Sequence, residues 1–152
     1  MNVTKRSRAG ERGQAAVEFA LTIVLVFFIL VAVIELLMFV HTYNALADSA
    51  KEGVRYAIVH GNDNASPSGP ACPCAAIDGS AGTGVVKTFA QFAFHDTSAM
   101  TVTVTYPDTT NPPANQPPNR VRVVVSYPYQ PFFGLSWPSV TVYAAAEGRI
   151  MY

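Results

Sequence analysis

The chain has 152 residues, half of them hydrophobic and only 13% charged, with 10 basic side chains against 10 acidic ones. Zero net charge gives no electrostatic footprint for a nucleic-acid partner. Two cysteines cannot make a disulfide framework, so the length points to one small domain held by packing and excludes a large catalytic one.

The balance is uneven along the chain. Lys5, Arg6, Arg8 and Arg12 stand against Glu11 within residues 1–13, a local net charge of +3 that leaves −3 for everything after. Phe19 to Val40 follows, 22 residues whose one charge is Glu35 and whose one other polar side chain is Thr22. At about 1.5 Å per residue this is roughly 33 Å of helix, enough to cross a hydrocarbon core of about 30 Å. A buried core helix would need a protein able to surround it, and the chain after Val40 is too short and too polar. The basic flank places the amino terminus in the cytoplasm and the rest outside. A cleaved secretory signal is the competing reading, with Ala45-Leu46-Ala47 as its small-x-small site. The apolar run is too long for it, and Glu35 and His41 to Asn44 stand between run and cut.

Immediately before the span lies Gly13-Gln14-Ala15-Ala16-Val17-Glu18-Phe19. A glycine behind a short basic leader, with a glutamate five residues on, resembles a class III signal. Prepilin peptidases cut such signals after the glycine, on the cytoplasmic side, and leave the apolar helix in place. Glycine suits the site because an unbranched residue lets the backbone enter a protease. Cleavage would create an α-amino group on Gln14, of ordinary pKa near 8, to pair with the Glu18 carboxylate of a neighbouring subunit. The bland alternative is an uncleaved anchor with Glu18 among the headgroups.

Beyond His41 the helix is expected to continue, with Leu46, Ala50, Gly53, Val54, Ala57 and Ile58 forming one apolar stripe. Asp48 with Lys51 and Glu52 with Arg55 are spaced to pair on the wetter side. Gly61-Asn62 supplies the stop, giving a helix from about Gln14 to His60. Asn62 to Gly84 is rich in Gly, Pro, Ser and Ala and reads as a loop. Val85, Val86, Phe89, Phe92 and Ala93 then trace a short helix. The period changes to two around Val102 to Tyr106, Val121 to Tyr127, and Val140 to Tyr143. Pro107 to Pro118, five prolines in twelve residues, reads as an exposed, stiff loop.

Three stretches together, Val17-Glu18-Phe19-Ala20-Leu21, Ile34-Glu35 late in the span and Ala50-Lys51-Glu52-Gly53-Val54-Arg55-Tyr56-Ala57, resemble the TadE-like family of pilin-related proteins. The strands around Val121 to Tyr127, then Pro128, then a last strand closing in Arg149, are similar to it too. The resemblance implies a membrane-anchored pseudopilin assisting assembly of Tad/Flp-type adhesive pili. Prepilin peptidase, other pilins and pseudopilins and Tad assembly components would be its partners, in the bacterial inner membrane. Phe19, where the major Flp pilin usually has tyrosine, and the large outer part favour the pseudopilin branch. The fold class expected is α+β and pilin-like: a long amino-terminal transmembrane helix continuing into a small antiparallel β-sheet domain. Its parts are a basic leader (1–13), the transmembrane helix and its extracytoplasmic extension (14–60), and a small α+β domain (61–152). A stand-alone anchored binding or adhesin module is the alternative.

Signals for chemistry are thin. Gly134-Leu135-Ser136-Trp137-Pro138 imitates a nucleophile elbow but has proline where the last glycine is needed. Gly79, Gly82 and Gly84 follow a loop and not a strand, which argues against a phosphate loop. His41, His60 and His95 are scattered, and His95-Asp96 near Ser98 reads as a surface or capping group. No catalytic residue, cofactor or metal site is assigned. Cys72-Pro73-Cys74 faces an oxidising compartment if the orientation holds, where an intramolecular bridge, a bridge to a partner, and thiols free or on a metal with His60 all stay open. The aromatic run Tyr127 to Trp137 either folds Phe132, Phe133 and Leu135 back onto the helix stripe as core, the simpler reading, or presents them to a subunit or the membrane.

Overall fold

The computed structural model describes residues 8–69, 74–80, 84–108, 114–133 and 139–151. The elements are α1 (Arg8–Val59), α2 (Ala75–Asp78), α3 (Val85–Ala90), β1 (Thr101–Thr105), β2 (Arg120–Tyr129) and β3 (Val140–Arg149). A long apolar helix followed by a three-stranded antiparallel sheet makes the protein α+β, as its sequence leads one to expect. Two compact units divide the chain, Met1–Met38 and Phe39–Tyr152.

The first unit is helical from Arg8 on. Arginine, alanine and glutamate in Arg8 to Arg12 are good helix formers, and they carry α1 about two turns upstream of the expected start near Gln14. From Gly13 to Leu30 every side chain is exposed, and Val17, Phe19, Leu21, Phe27 and Leu30 are each more than half exposed. A helix that is apolar on all sides and uncovered is built for lipid and not for a water-facing surface. Gly13–Val59 contains the stretch long and apolar enough to cross a membrane, the one such helix among the described residues. Thr22 settles its hydroxyl within the helix by donating to the Glu18 carbonyl at 2.9 Å.

The second unit packs the remainder of α1 against one face of the sheet. Leu46, Ala50, Val54 and Ala57 of the expected stripe are buried, and Ile58 is partly so. The sheet runs in the order β1-β2-β3. Val121, Val123 and Val125 of β2 and Val142 and Ala144 of β3 face the helix, while Arg120, Arg122, Thr141, Tyr143 and Ala145 point to solvent. This alternation fixes the register, because a slip of one residue would turn the valines outward. Ile77, Val86, Ala90 and Met100 close the side of the core. Gly53 permits a close approach: a Cβ there would meet Val86 Cγ2 at 2.6 Å and Val123 Cγ1 at 3.3 Å. Gly148 of β3 does the same for Val54, at 2.6 Å. Buried Ser49 is satisfied by its own helix, donating to the Ala45 carbonyl at 2.7 Å.

Helix α1 ends by a different device from the glycine stop. Its last four carbonyls, which no further helical turn can satisfy, all find partners. The His60 ring Nδ1 lies 2.9 Å from the Tyr56 oxygen, and the His60 amide donates to Ala57 at 3.3 Å. The Met151 amide reaches Ile58 at 2.9 Å, and Asn64 Nδ2 reaches Val59 at 2.8 Å. Gly79 is the described glycine with a left-handed backbone (φ 74°), just past α2.

Three further expectations are corrected. The short helix stops at Ala90, since only Val86 and Ala90 have core to bury against; residues 91–93 form a turn and Phe92 is 89% exposed. Strand β2 runs through Pro128 to Tyr129, with Pro128 opposite Thr141. β1 pairs only as far as Ser126, so Pro128 has a neighbour on one side and its missing N–H breaks no ladder on the other. The proline-rich stretch is not wholly exposed: Asn115 within it is buried, its carbonyl accepting from the Asn62 amide at 3.0 Å, and Asn119 just after it is buried too, its carbonyl accepting from the Ile150 amide at 2.9 Å. Residues 109–113 lie outside the described part.

Candidate processing and membrane-anchor site

Gly13, Gln14 and Glu18 share the exposed face at the start of α1, and a Cβ built on Gly13 would meet nothing within 4 Å. Gln14 and Glu18 are four residues apart, so their side chains lie one helical turn from each other on one face. The Gly13–Gln14 peptide is itself helical. Entry into a protease would require that the turns before it unwind. Two turns at a helix end fray readily, and glycine at the break lowers helix stability by about 1 kcal/mol relative to alanine. Glu35, the one charge within the apolar run, is buried, at 7% exposure.

The other residues singled out in the sequence take structural roles. The His60 ring stacks on Tyr56, centroids 3.9 Å apart, and its Nδ1 is committed to the helix end. Asp96 accepts the Ser98 amide at 2.8 Å and the Ser98 hydroxyl at 2.9 Å, an Asx turn and not a triad. Those bonds, the amide first, with His95 adding a smaller electrostatic pull, hold the Asp96 carboxyl below its ordinary range. Gly84 packs onto the backbone of Ile77 and Gly79, so it serves a close chain crossing. Cys74 is half-buried with its sulfur 3.9 Å from the Gly69 carbonyl; Cys72 lies outside the described residues, as do Gly82 and Gly134 to Pro138. No three His, Cys, Asp or Glu side chains among the described residues gather as metal ligands. The reading of the aromatic run as core is corrected at Phe132, which is 73% exposed, and at Phe133, 40% exposed.

One arrangement gave no signal in the sequence. Arg120 binds Asp108 through Nε at 3.1 Å and Nη2 at 2.9 Å, and Glu147 through Nη1 at 2.9 Å; its own amide also donates to Asp108 at 2.9 Å. The guanidinium, at the first residue of β2, thereby ties the start of the β1–β2 connection to β3. The Arg120 side chain is the main reason the Asp108 carboxyl sits below its usual range. Sequence separations of 12 and 27 residues hide such a clamp from any local pattern.

The described residues make an α+β protein with one candidate membrane helix near its amino end. Residues 13–55 match the family model described as TadE-like protein, so this segment, from the glycine before the apolar helix to Arg55, is TadE-like. No curated protein and no solved structure matches the chain.

Proposed function

We propose that the protein is a membrane-anchored pseudopilin of a Tad-type pilus system, processed after Gly13 and assisting assembly of Flp-type pili. The observation that carries this reading is the coincidence of two features: the TadE-like match begins at Gly13, and an uncovered apolar helix follows directly. Residues 1–13 serve as the cytoplasmic leader. Residues 14–60 anchor the chain in the inner membrane and extend beyond it, and residues 61–152 form the extracytoplasmic domain. A prepilin peptidase is the processing partner, and pilins and Tad assembly components are the assembly partners.

Glu18 then has a defined job. A carboxylate at the lipid boundary costs up to ~3 kcal/mol unless paired. Removal of the leader supplies the Gln14 α-ammonium of a neighbouring subunit as partner. The same chain's own amine would lie one turn away, so assembly exchanges a local pair for an intersubunit one. Two substitutions separate processing from assembly. Glu18→Gln keeps the cleavage glycine and should be processed normally, yet cross-link to pilus components in lower yield. Gly13→Val should block processing while the helix still inserts by its unchanged hydrophobicity. Wild-type assembly by Glu18→Gln would remove the pairing role.

A further inference from the structure

We infer that the outer edge of β3 is a docking site for an extended strand of another protein, one that brings a carboxylate to Arg149. The parity of the ladder shows which backbone groups face outward. The Ile150 amide donates to the Asn119 carbonyl at 2.9 Å in the β2–β3 register, while the Arg120 amide turns the other way, to Asp108. Successive residues of an antiparallel strand bond alternately to one side and the other. Val142, Ala144, Ala146 and Gly148 therefore bond β2, and Thr141, Tyr143, Ala145, Glu147 and Arg149 aim their N–H and C=O groups away from it. Met151 is the next residue of that outward row, and its amide is taken by the Ile58 carbonyl at 2.9 Å. From Thr141 to Arg149 the row meets no backbone partner among the described residues, and all five residues are exposed.

Proteins ordinarily shield such a row, and the opposite edge of this sheet is shielded. β1 has five residues with Pro107 soon after, and Asp78, Gly79 and Ser80 share a cleft with Thr101 and Val102. β3 has ten residues in unbroken register, and from Val140 to Ala146 it holds no charge and no proline. Tyr143 is 64% exposed. A strand added here gains main-chain hydrogen bonds along the edge and sets its side chains alternately on the two faces. Charge then selects the occupant. Arg120, Arg122 and Arg149 stand with two carboxylates, Asp108 and Glu147, at one end of the sheet, and Arg120 holds both. Arg149 attracts Asp108 without pairing with it. Arg122 and Arg149 are diagonal neighbours on the outer face, about 7–8 Å apart at Cα, and neither forms an ion pair among the described residues. A carboxylate on the incoming strand opposite Arg149 meets both. A second copy adding β3 to β3 about Ala145 would bring Thr141 to that place, so the fitting occupant is a different chain.

The test adds a synthetic peptide to the full chain in detergent and follows backbone amide exchange by NMR. The peptide Glu-Val-Thr-Val-Thr-Val-Glu keeps the valine–threonine alternation of β1 and sets both glutamates on its threonine face. A version with lysine in place of both glutamates is the control. At concentrations up to about 1 mM, enough to half-fill a site with a Kd of about 1 mM, the glutamate peptide should slow exchange at Tyr143, Ala145 and Glu147. Arg149→Glu should weaken it several-fold and transfer the preference to the lysine peptide. Ala145→Pro removes one outward N–H and no bond to β2, as edge positions tolerate, and should weaken both peptides. Cooperative unfolding of the two variants checks that each still folds. Unchanged exchange with either peptide would overturn the inference, as would equal protection by both in the unsubstituted chain. Full binding by Ala145→Pro would reduce the contact to charge attraction without strand addition and overturn it too. Slow exchange of the same amides in the peptide-free chain, together with a dimer, would make a second copy the occupant and also overturn it.

Discussion

Gly53 sets how near α1 comes to the sheet, because Val86 and Val123 fill the space a side chain would need. Gly53→Leu should destabilise the outer domain by about 2–3 kcal/mol through overpacking, despite leucine's better helix propensity; denaturant unfolding of the full chain in detergent measures it. The Arg120 clamp makes a pH-dependent contribution whose sign follows from Asp108. Its carboxyl is depressed in the folded state by the Arg120 hydrogen bonds and charge, as that of Asp96 is by Ser98. The stabilisation from each is complete above the unfolded value of about 3.9 and is lost as pH falls through the lower folded value. Stability should therefore stay level from about pH 7 to pH 5 and decline below about pH 4. Asp108→Asn should flatten that decline and lower the plateau, as read from unfolding midpoints across the range.

At the scale of elements, the three buried valines of β2, with Val142 and Ala144 of β3, carry the sheet's share of the core. Val123 is fully buried beside Gly53, so Val123→Ala should cost about 2 kcal/mol or somewhat more, with Val124→Ala, on the other face, well below that in the same measurement. The period-two runs made β1, β2 and β3 legible, and the spacing of Leu46, Ala50, Val54 and Ala57 gave the packing face of α1. Element ends were harder to read. Pro128 is a strand breaker by local rules, and only the short reach of β1 makes it harmless. Phe92 satisfies a helical spacing that tertiary burial does not honour. The α1 terminus depends on Asn64 and Met151, the latter 93 residues from Ile58 by sequence number, and no local pattern announces that. The candidate processing site was legible because it is a linear pattern on one helix. The Arg120 clamp, made by chain reversal, was not.

At the scale of the whole molecule, one helix has two different surroundings. From Phe19 to Leu30 its side chains are uncovered and, Thr22 apart, apolar on every side, whereas from Leu46 to Ala57 one stripe is sealed by the sheet. Lipid suits the first and a folded domain the second. Processing after Gly13 would convert an ordinary signal anchor into an assembly-competent subunit by exposing a charge partner for Glu18, so the mature amino terminus is the central claim. Mass spectrometry of the protein extracted from membranes of a cell with active prepilin peptidase tests it directly. A chain beginning at Gln14 is the expected result. A chain beginning at Met1 or Asn2 would contradict it and leave an uncleaved anchor, and one beginning at Asp48 would contradict it in favour of a secretory signal.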